Sequence, residues 1–239
     1  MSFRERIDMA VFGAVPAFVR ASVRLSGLAP DRGAHAARAL VQRAGLAALP
    51  AEDDARLAAW REAYASVGLG PDVIPPPAAL ADWAVTPGGV PSQGALRDLV
   101  HAFSLRHVVP IAAYDLAAIA GDLWLCPSRG CEHFVGMGED GPTSPELNEL
   151  ILVDSRAEVL ARHWHGRQGR LTAACPGTRD ALVHLDFLTP LADRSDELTG
   201  AFVRLATGFV GGTAEVRWLR WETPQVDWTV GRAAGDDGD

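Results

Sequence analysis

Between Pro16 and Leu25 the chain alternates, with Val19, Ala21, Val23 and Leu25 on one side and Arg20, Ser22 and Arg24 on the other. That is the period-two signature of a strand with one buried face. The period then lengthens. Residues 34–49 are Ala-rich, and 53–67 carry Leu57, Trp60, Tyr64 and Val67 at helical spacing before Gly68, so two helices are predicted. Pro and Gly punctuate residues 70–94, including Pro75-Pro76-Pro77 and Pro87-Gly88-Gly89. This stretch reads as a loop interrupted by a short helix at 78–83. In the helix predicted for 93–107, Leu96, Leu99, Val100 and Phe103 form a stripe at i, i+3, i+4 and i+7. Arg97, His101 and Ser104 share one flank of that helix, Arg106 falls on the other, and Pro110 ends it.

After Pro110 the pattern shortens into strands at 122–126, 133–137, 150–154, 158–164 and 181–188, separated by turns at Pro127–Gly130, Gly138–Pro145 and Pro176-Gly177. Leu150-Ile151-Leu152-Val153 has no polar face, which predicts a central strand buried on both sides. A helix over 193–207 and a last strand over 215–221 follow. Helices first, strands next, then one more helix and strand make an α+β module, a mixed β-sheet with flanking helices. We expect one domain over residues 1–232 and a disordered tail over 233–239, where Asp236, Asp237 and Asp239 lie among glycines.

Composition narrows the function classes. With 48% hydrophobic and 22% charged residues, a sizeable core can form. No apolar run approaches the roughly 20 residues of a membrane span, and Met1-Ser2-Phe3-Arg4-Glu5-Arg6 lacks the apolar stretch of a secretory signal. The expectation is a cytoplasmic protein with no membrane partner. The net charge of −8 argues against a general phosphate-backbone binder. All 22 basic residues are Arg, which removes lysine Schiff-base chemistry and Walker-type phosphate loops. A basic cluster is nevertheless present: Arg156, Arg162, Arg167, Arg170 and Arg179, with His163 and His165.

Five constellations invite a chemical reading. Cys126-x4-Cys131-x-His133 is an incomplete zinc set beside a Pro127–Gly130 turn, so no metal or other cofactor is expected. His163-Trp164-His165 on a strand would put both imidazoles on one face, available to a ligand or to solvent. His184 and Asp186 share a face opposite Val183, Leu185 and Phe187, which predicts a hydrogen bond between them. A Ser104–His–Asp triad has no G-x-S-x-G elbow to position its serine, and Gly136-x-Gly138 lacks the third glycine and helix of a dinucleotide site.

The run DLVHAFSLRHVVPIAAYDLAAIAG over residues 98–121 resembles the tRNA-editing module (the B-three/B-four domain) of the phenylalanyl-tRNA synthetase beta subunit, and more closely its free-standing bacterial relatives. AAWREAYASVGLGP at 58–71, NELILVDS at 148–155, ARHWHGRQGRLT at 161–172 and TRDAL at 178–182 extend the resemblance in consistent order. The resemblance implies a sheet-lined pocket that takes the acceptor end of an aminoacyl-tRNA and hydrolyses its ester. Such cleavage needs a positioned water and donors for the oxyanion, with no nucleophilic side chain required.

Residue by residue, the chain departs from the synthetase pattern. His101 stands where the synthetase typically has Asn, and Ala112 where it has the His of a Pro-x-His-Ala-Phe-Asp run. His165-Gly166-Arg167 replaces a Gly-Gly-Glu element, so a cation takes the place of a carboxylate. The free-standing relatives share Ser104-Leu105-Arg106 and Trp164-x-x-Arg167-Gln168.

The resemblance thus implies His101, His165 and Asp115 as catalytic candidates, with Ser104, Arg106, Tyr114, Trp164, Arg167 and Gln168 contacting the substrate. Asp115 has a competing role as a helix cap before Leu116. The expected activity is a stand-alone deacylase acting on a mischarged aminoacyl-tRNA, with the tRNA acceptor end and the amino acid moiety as partners. The alternatives are a non-catalytic binder of an amino acid, small metabolite or charged tRNA end, or a transferase that passes the aminoacyl group to another acceptor.

Overall fold

The computed structural model describes residues 2–29, 31–47, 50–51 and 53–229. The acidic tail expected at 233–239 lies outside the described residues.

The alternating strand of the sequence, β2 (Val19–Ser26), is the element against which two layers form. It pairs antiparallel with β8 (Ala181–Phe187) on one side and β9 (Thr213–Leu219) on the other, and β3 (Ile111–Asp115) completes a four-stranded sheet in the order β3-β8-β2-β9. One face carries Ala21, Val23, Leu25, Ala113, Val183 and Leu185, packed under α5 (Ala95–His107) and α6 (Ser195–Val210) through Leu96, Leu99, Phe103, Leu198 and Phe202. α2 (Ala34–Leu46) lies against both helices.

The other face of this sheet is not solvated. It packs against a second, six-stranded sheet ordered β10-β1-β4-β5-β6-β7: β10 (Gln225–Trp228), β1 (Phe3–Ile7), β4 (Leu123–Pro127), β5 (Leu150–Asp154), β6 (Val159–Arg162) and β7 (Arg167–Gln168). β1 and β4 run parallel and the remaining pairs antiparallel. The layer between the sheets holds Phe3, Ile7, Leu123, Leu125, Leu152, Leu182 and Trp228. α3 (Ala55–Ser66), capped by the Asp54 carboxylate accepting from Arg56 N–H, adds Trp60 and Tyr64. A short α1 (Met9–Ala14) and α4 (Pro76–Ala84) complete the helices. The protein is therefore α+β, and no helix among the described residues is long and apolar enough to cross a membrane.

Most predicted elements appear within a few residues of their expected limits, and β5 is buried along its whole length as its apolar run requires. Three expectations change. β2 was read as half-buried, yet Arg20 and Ser22 are buried because the second sheet covers the polar side. Residues 133–137 form isolated bridges, His133 to Glu158 and Phe134 to Thr143, in place of a strand. The strand expected to run through Trp164 stops at Arg162, because His163 and Trp164 both adopt left-handed backbone conformations (φ 51° and 67°). β1, α1, β3, β7 and β10 are not among the predicted elements.

Helix α5 starts at a tightly specified turn. Gly94 has φ +104°, and an added Cβ there would meet Pro176 at 3.3 Å, so both the angle and the space require glycine. Asp98 closes the turn, accepting from Ser92 Oγ (2.6 Å) and Gln93 N–H (3.2 Å). At the far end Ser104 Oγ donates to the Val109 carbonyl at 2.7 Å.

Candidate functional site

Two polar clusters lie on opposite sides of the four-stranded sheet. The first is a seam between the sheets. Arg20, from β2, donates through Nε (2.7 Å) and Nη2 (2.8 Å) to both oxygens of Asp186 on β8. Asp186 also accepts the Trp164 indole N–H (3.2 Å) and contacts His165 Nδ1 (3.1 Å), whose Nε2 lies 2.9 Å from the Tyr64 hydroxyl. Trp60 stands edge-on to His165 with ring centres 4.8 Å apart.

Glu5 of β1 reaches into the same layer, accepting from Ser22 Oγ (2.6 Å) and Trp228 Nε1 (3.3 Å). His184 Nε2 sits 2.9 Å from Glu5 Oε1 but misses hydrogen-bond alignment, so neither His184 ring nitrogen holds a directed bond among the described residues. Burial opposes ionisation of Asp186, but Arg20 and His165 outweigh it and hold the carboxyl below its usual range. His165 is pushed down by desolvation against the pull of Asp186, and Tyr64 is driven well up by burial.

This seam corrects two expectations. His184 and Asp186 share a face but turn to different partners, Glu5 and Arg20. The imidazoles of His163 and His165 do not share a face: the left-handed turn sends His163 outward to Glu149 (3.4 Å) and His165 inward to Asp186.

The second cluster lies on the helical side of β3. Gln168 donates through Nε2 to the Ala113 carbonyl (2.7 Å) and accepts from Arg97 Nη2 at 3.3 Å. Arg97 is half-buried, and no carboxylate among the described residues forms an ion pair with it: the neighbouring Asp98 favours the cation through its charge but is hydrogen-bonded in the Ser92–Gln93 turn. Desolvation lowers the Arg97 guanidinium to about 10. One turn along α5, His101 is 8% exposed and its Nδ1 has no hydrogen-bond partner among the described residues. Desolvation first, and the Arg97 charge second, push His101 down to about 3, so it is neutral at physiological pH.

The structure brings His101 and Gln168 together through Arg97 and separates the other predicted residues. Arg167 is exposed, ion-paired with Glu139 and 5.6 Å over the Phe134 ring. Arg162 is likewise neutralised by Glu149 (2.5 and 2.8 Å), so the basic cluster carries less net charge in space than in sequence. His165 and Trp164 belong to the inter-sheet seam. Tyr114 is buried beside the His184 ring at 5.3 Å. Ser104 serves the end of α5. Asp115 caps the 3-10 turn Leu116–Ala118 through Ala117 N–H (2.9 Å) and accepts from Thr178 Oγ1 (2.8 Å), as the capping reading anticipated.

Arg106 is exposed and lines a groove of about 720 Å³ between α2, α5 and α6, with Arg43, Phe103 and His107. A second concavity runs beside Arg61, Pro71 and Ile74. Neither touches His101, His165, Arg167 or Gln168.

Sequence reasoning passed over Glu5, Arg20 and Arg97. The alternation Phe3-x-Glu5-x-Ile7 carried the signal for the first, since it places a carboxylate among apolar neighbours on one strand face. Arg97 was placed on the His101 flank but given no role. At the Cys126–His133 turn, Glu132 accepts from Ser128 Oγ and from the Arg129 and Cys131 amides, and among the described residues no group of three or more His, Cys, Asp or Glu could hold a metal.

Residues 59–199 match the sequence profile of the B3/4 domain. Among solved structures the chain is similar to an N-terminal fragment of the phenylalanyl-tRNA synthetase beta-subunit from Pyrococcus horikoshii, at 12% identity and a TM-score of 0.47, covering 88% of this chain and 49% of that one. The chain thus spans about half the length of that fragment. No match is found among curated proteins.

Proposed function

The chain belongs to the B3/4 domain family, and from that premise we propose that it binds the aminoacylated end of a tRNA and hydrolyses the ester of a mischarged amino acid. The observation that carries this reading is the buried, unpartnered Nδ1 of His101, held beside Arg97 and Gln168 at the edge of β3. An imidazole with a pKa near 3 is too weak a base to take a proton outright, but its neutral ring can fix a water by a hydrogen bond. The water oxygen attacks the acyl carbon, the C–O bond to the ribose breaks, and the proton of the water ends on the ribose oxygen. Gln168 Nε2 spends one hydrogen on Ala113 and retains a second for the developing oxyanion. Arg167, exposed and paired only at the surface with Glu139, is free to exchange that partner for a phosphate of the terminal nucleotides.

Release of radiolabelled amino acids from a panel of mischarged tRNAs tests the reading. We expect turnover with at least one, reduced roughly 100-fold in His101→Ala, the scale of a lost water-positioning group, and weakened in KM for Arg167→Ala. No turnover on any member sinks the hydrolase. Saturable binding of an acylated end without ester loss would decide for the binder, a reading that the low basicity of His101 favours.

A further inference from the structure

Partial desolvation of a guanidinium that makes no ion pair carries a cost, and Arg97 is half-buried in this way. Elsewhere in this fold the cost is met directly: Arg20 faces Asp186, and Arg162 faces Glu149. Arg97 faces a neutral amide at 3.3 Å and a neutral imidazole one turn away, and its remaining donors make no hydrogen bond among the described residues. Nothing in the local packing requires Arg at this position, because the apolar stripe of α5 is formed by Leu96, Leu99, Val100 and Phe103. The independent sign of an incomplete site is His101, nine-tenths buried with a bare ring nitrogen on the same flank.

We propose that Arg97, with Gln168 and His101, is a receptor for a carboxylate, and that the aminoacyl group taken at this site is one with an acidic side chain. This rests on the reading of the site as an acyl-ester pocket. The forked donors of Arg97 match a planar carboxylate, and with Nη2 bonded to the Gln168 carbonyl, Nε and Nη1 remain as donors without a partner among the described residues. A carboxylate there compensates the cation, much as Asp186 does for Arg20 on the other side of the sheet. A phosphate of the terminal nucleotide offers the same anionic oxygens, so the experiment must separate the two sources.

The test uses non-hydrolysable 3′-aminoacylamino-adenosines carrying aspartyl, glutamyl, asparaginyl or tyrosyl groups, titrated calorimetrically against the whole chain. Aspartyl and asparaginyl have nearly the same shape and differ in charge and in one acceptor oxygen replaced by an NH2 donor. We expect the aspartyl and glutamyl forms to bind roughly 10- to 100-fold tighter than asparaginyl, the range for a charge-assisted pair. That preference should vanish in Arg97→Gln and survive in part in Arg97→Lys, with unchanged thermal unfolding showing that both variants fold. If aspartyl and asparaginyl forms bind alike while His101-dependent deacylation proceeds, the carboxylate receptor is wrong and the editing reading stands. If adenosine monophosphate competes through Arg97 and the acyl charge makes no difference, the anion is the phosphate and the inference is overturned. If free aspartate or succinate binds through Arg97 while no acylated adenosine binds or is hydrolysed, the receptor stands and the editing reading falls.

Discussion

The two polar clusters flank one sheet and solve the same problem differently. Between the sheets, Arg20 is locked by two bonds to Asp186, and Asp186 in turn holds Trp164 and His165. On the helical side, Arg97 reaches an amide and leaves His101 Nδ1 bare. Compensated charge of the first kind ties layers together, because removing one member strands the other in low dielectric. A half-buried charge of the second kind, with no ion pair among the described residues, contributes little to the fold. The difference separates architecture from chemistry in a family domain whose sequence offers His101 and His165 as equivalent candidates.

The largest expected effect breaks the compensated side. Asp186→Asn keeps the shape and strands Arg20, so urea unfolding should show a loss of about 3–5 kcal/mol. The paired change Arg20→Met with Asp186→Leu should recover most of it. A cost under about 1 kcal/mol for Asp186→Asn would mean that Arg20 is not truly desolvated.

Acid sharpens the contrast next. His101 and His165 both have folded pKa values below the unperturbed value near 6.5, so below that pH the unfolded chain takes up protons that the folded chain refuses. Stability is therefore full above about pH 6.5 and falls with pH. For His101 the decline continues to about 3 and amounts to about 1.4 kcal/mol per pH unit. His101→Asn should reduce the slope between about pH 6 and 4.5, leaving the shares of His165, His163 and His107, above the range where the depressed carboxyls of Glu5 and Asp186 start to contribute. An unchanged slope would show that His101 is already protonated or solvated.

Tyr64→Phe removes the hydroxyl that meets His165 Nε2 and should cost about 1 kcal/mol in the same unfolding assay. The smallest effect belongs to Arg97→Gln, for which we expect a change within about 0.5 kcal/mol in the ligand-free protein. A loss as large as that of Asp186→Asn would place Arg97 with the structural charges.

Much of this architecture was legible from periodicity. The stripe of α5 faces the four-stranded sheet as its spacing requires, and the apolar run of β5 is interior. The alternation of β2 put Arg20, Ser22 and Arg24 on one side correctly, but alternation cannot say whether a polar face meets water or a second sheet. Arg20 is buried because β1, carrying Glu5, lies across from it. The turn at His163 and Trp164 was hidden for a related reason: left-handed backbone at non-glycine residues has no local sequence mark and is held by the contacts around it. For the candidate site, the chain named His101 and Gln168, while their link through Arg97 required the register of β7 beside β3.

By itself, the sequence determined the order and kind of most elements, the flank that joins Arg97 to His101, and membership of the family. These depend on spacings of a few residues along one element, where geometry is fixed by the backbone. Only the tertiary structure decided which charges are matched and which are left bare, since partners such as Glu5 and His184 or Arg20 and Asp186 come from strands far apart in the chain. The free energy of a charge is set by what surrounds it in space.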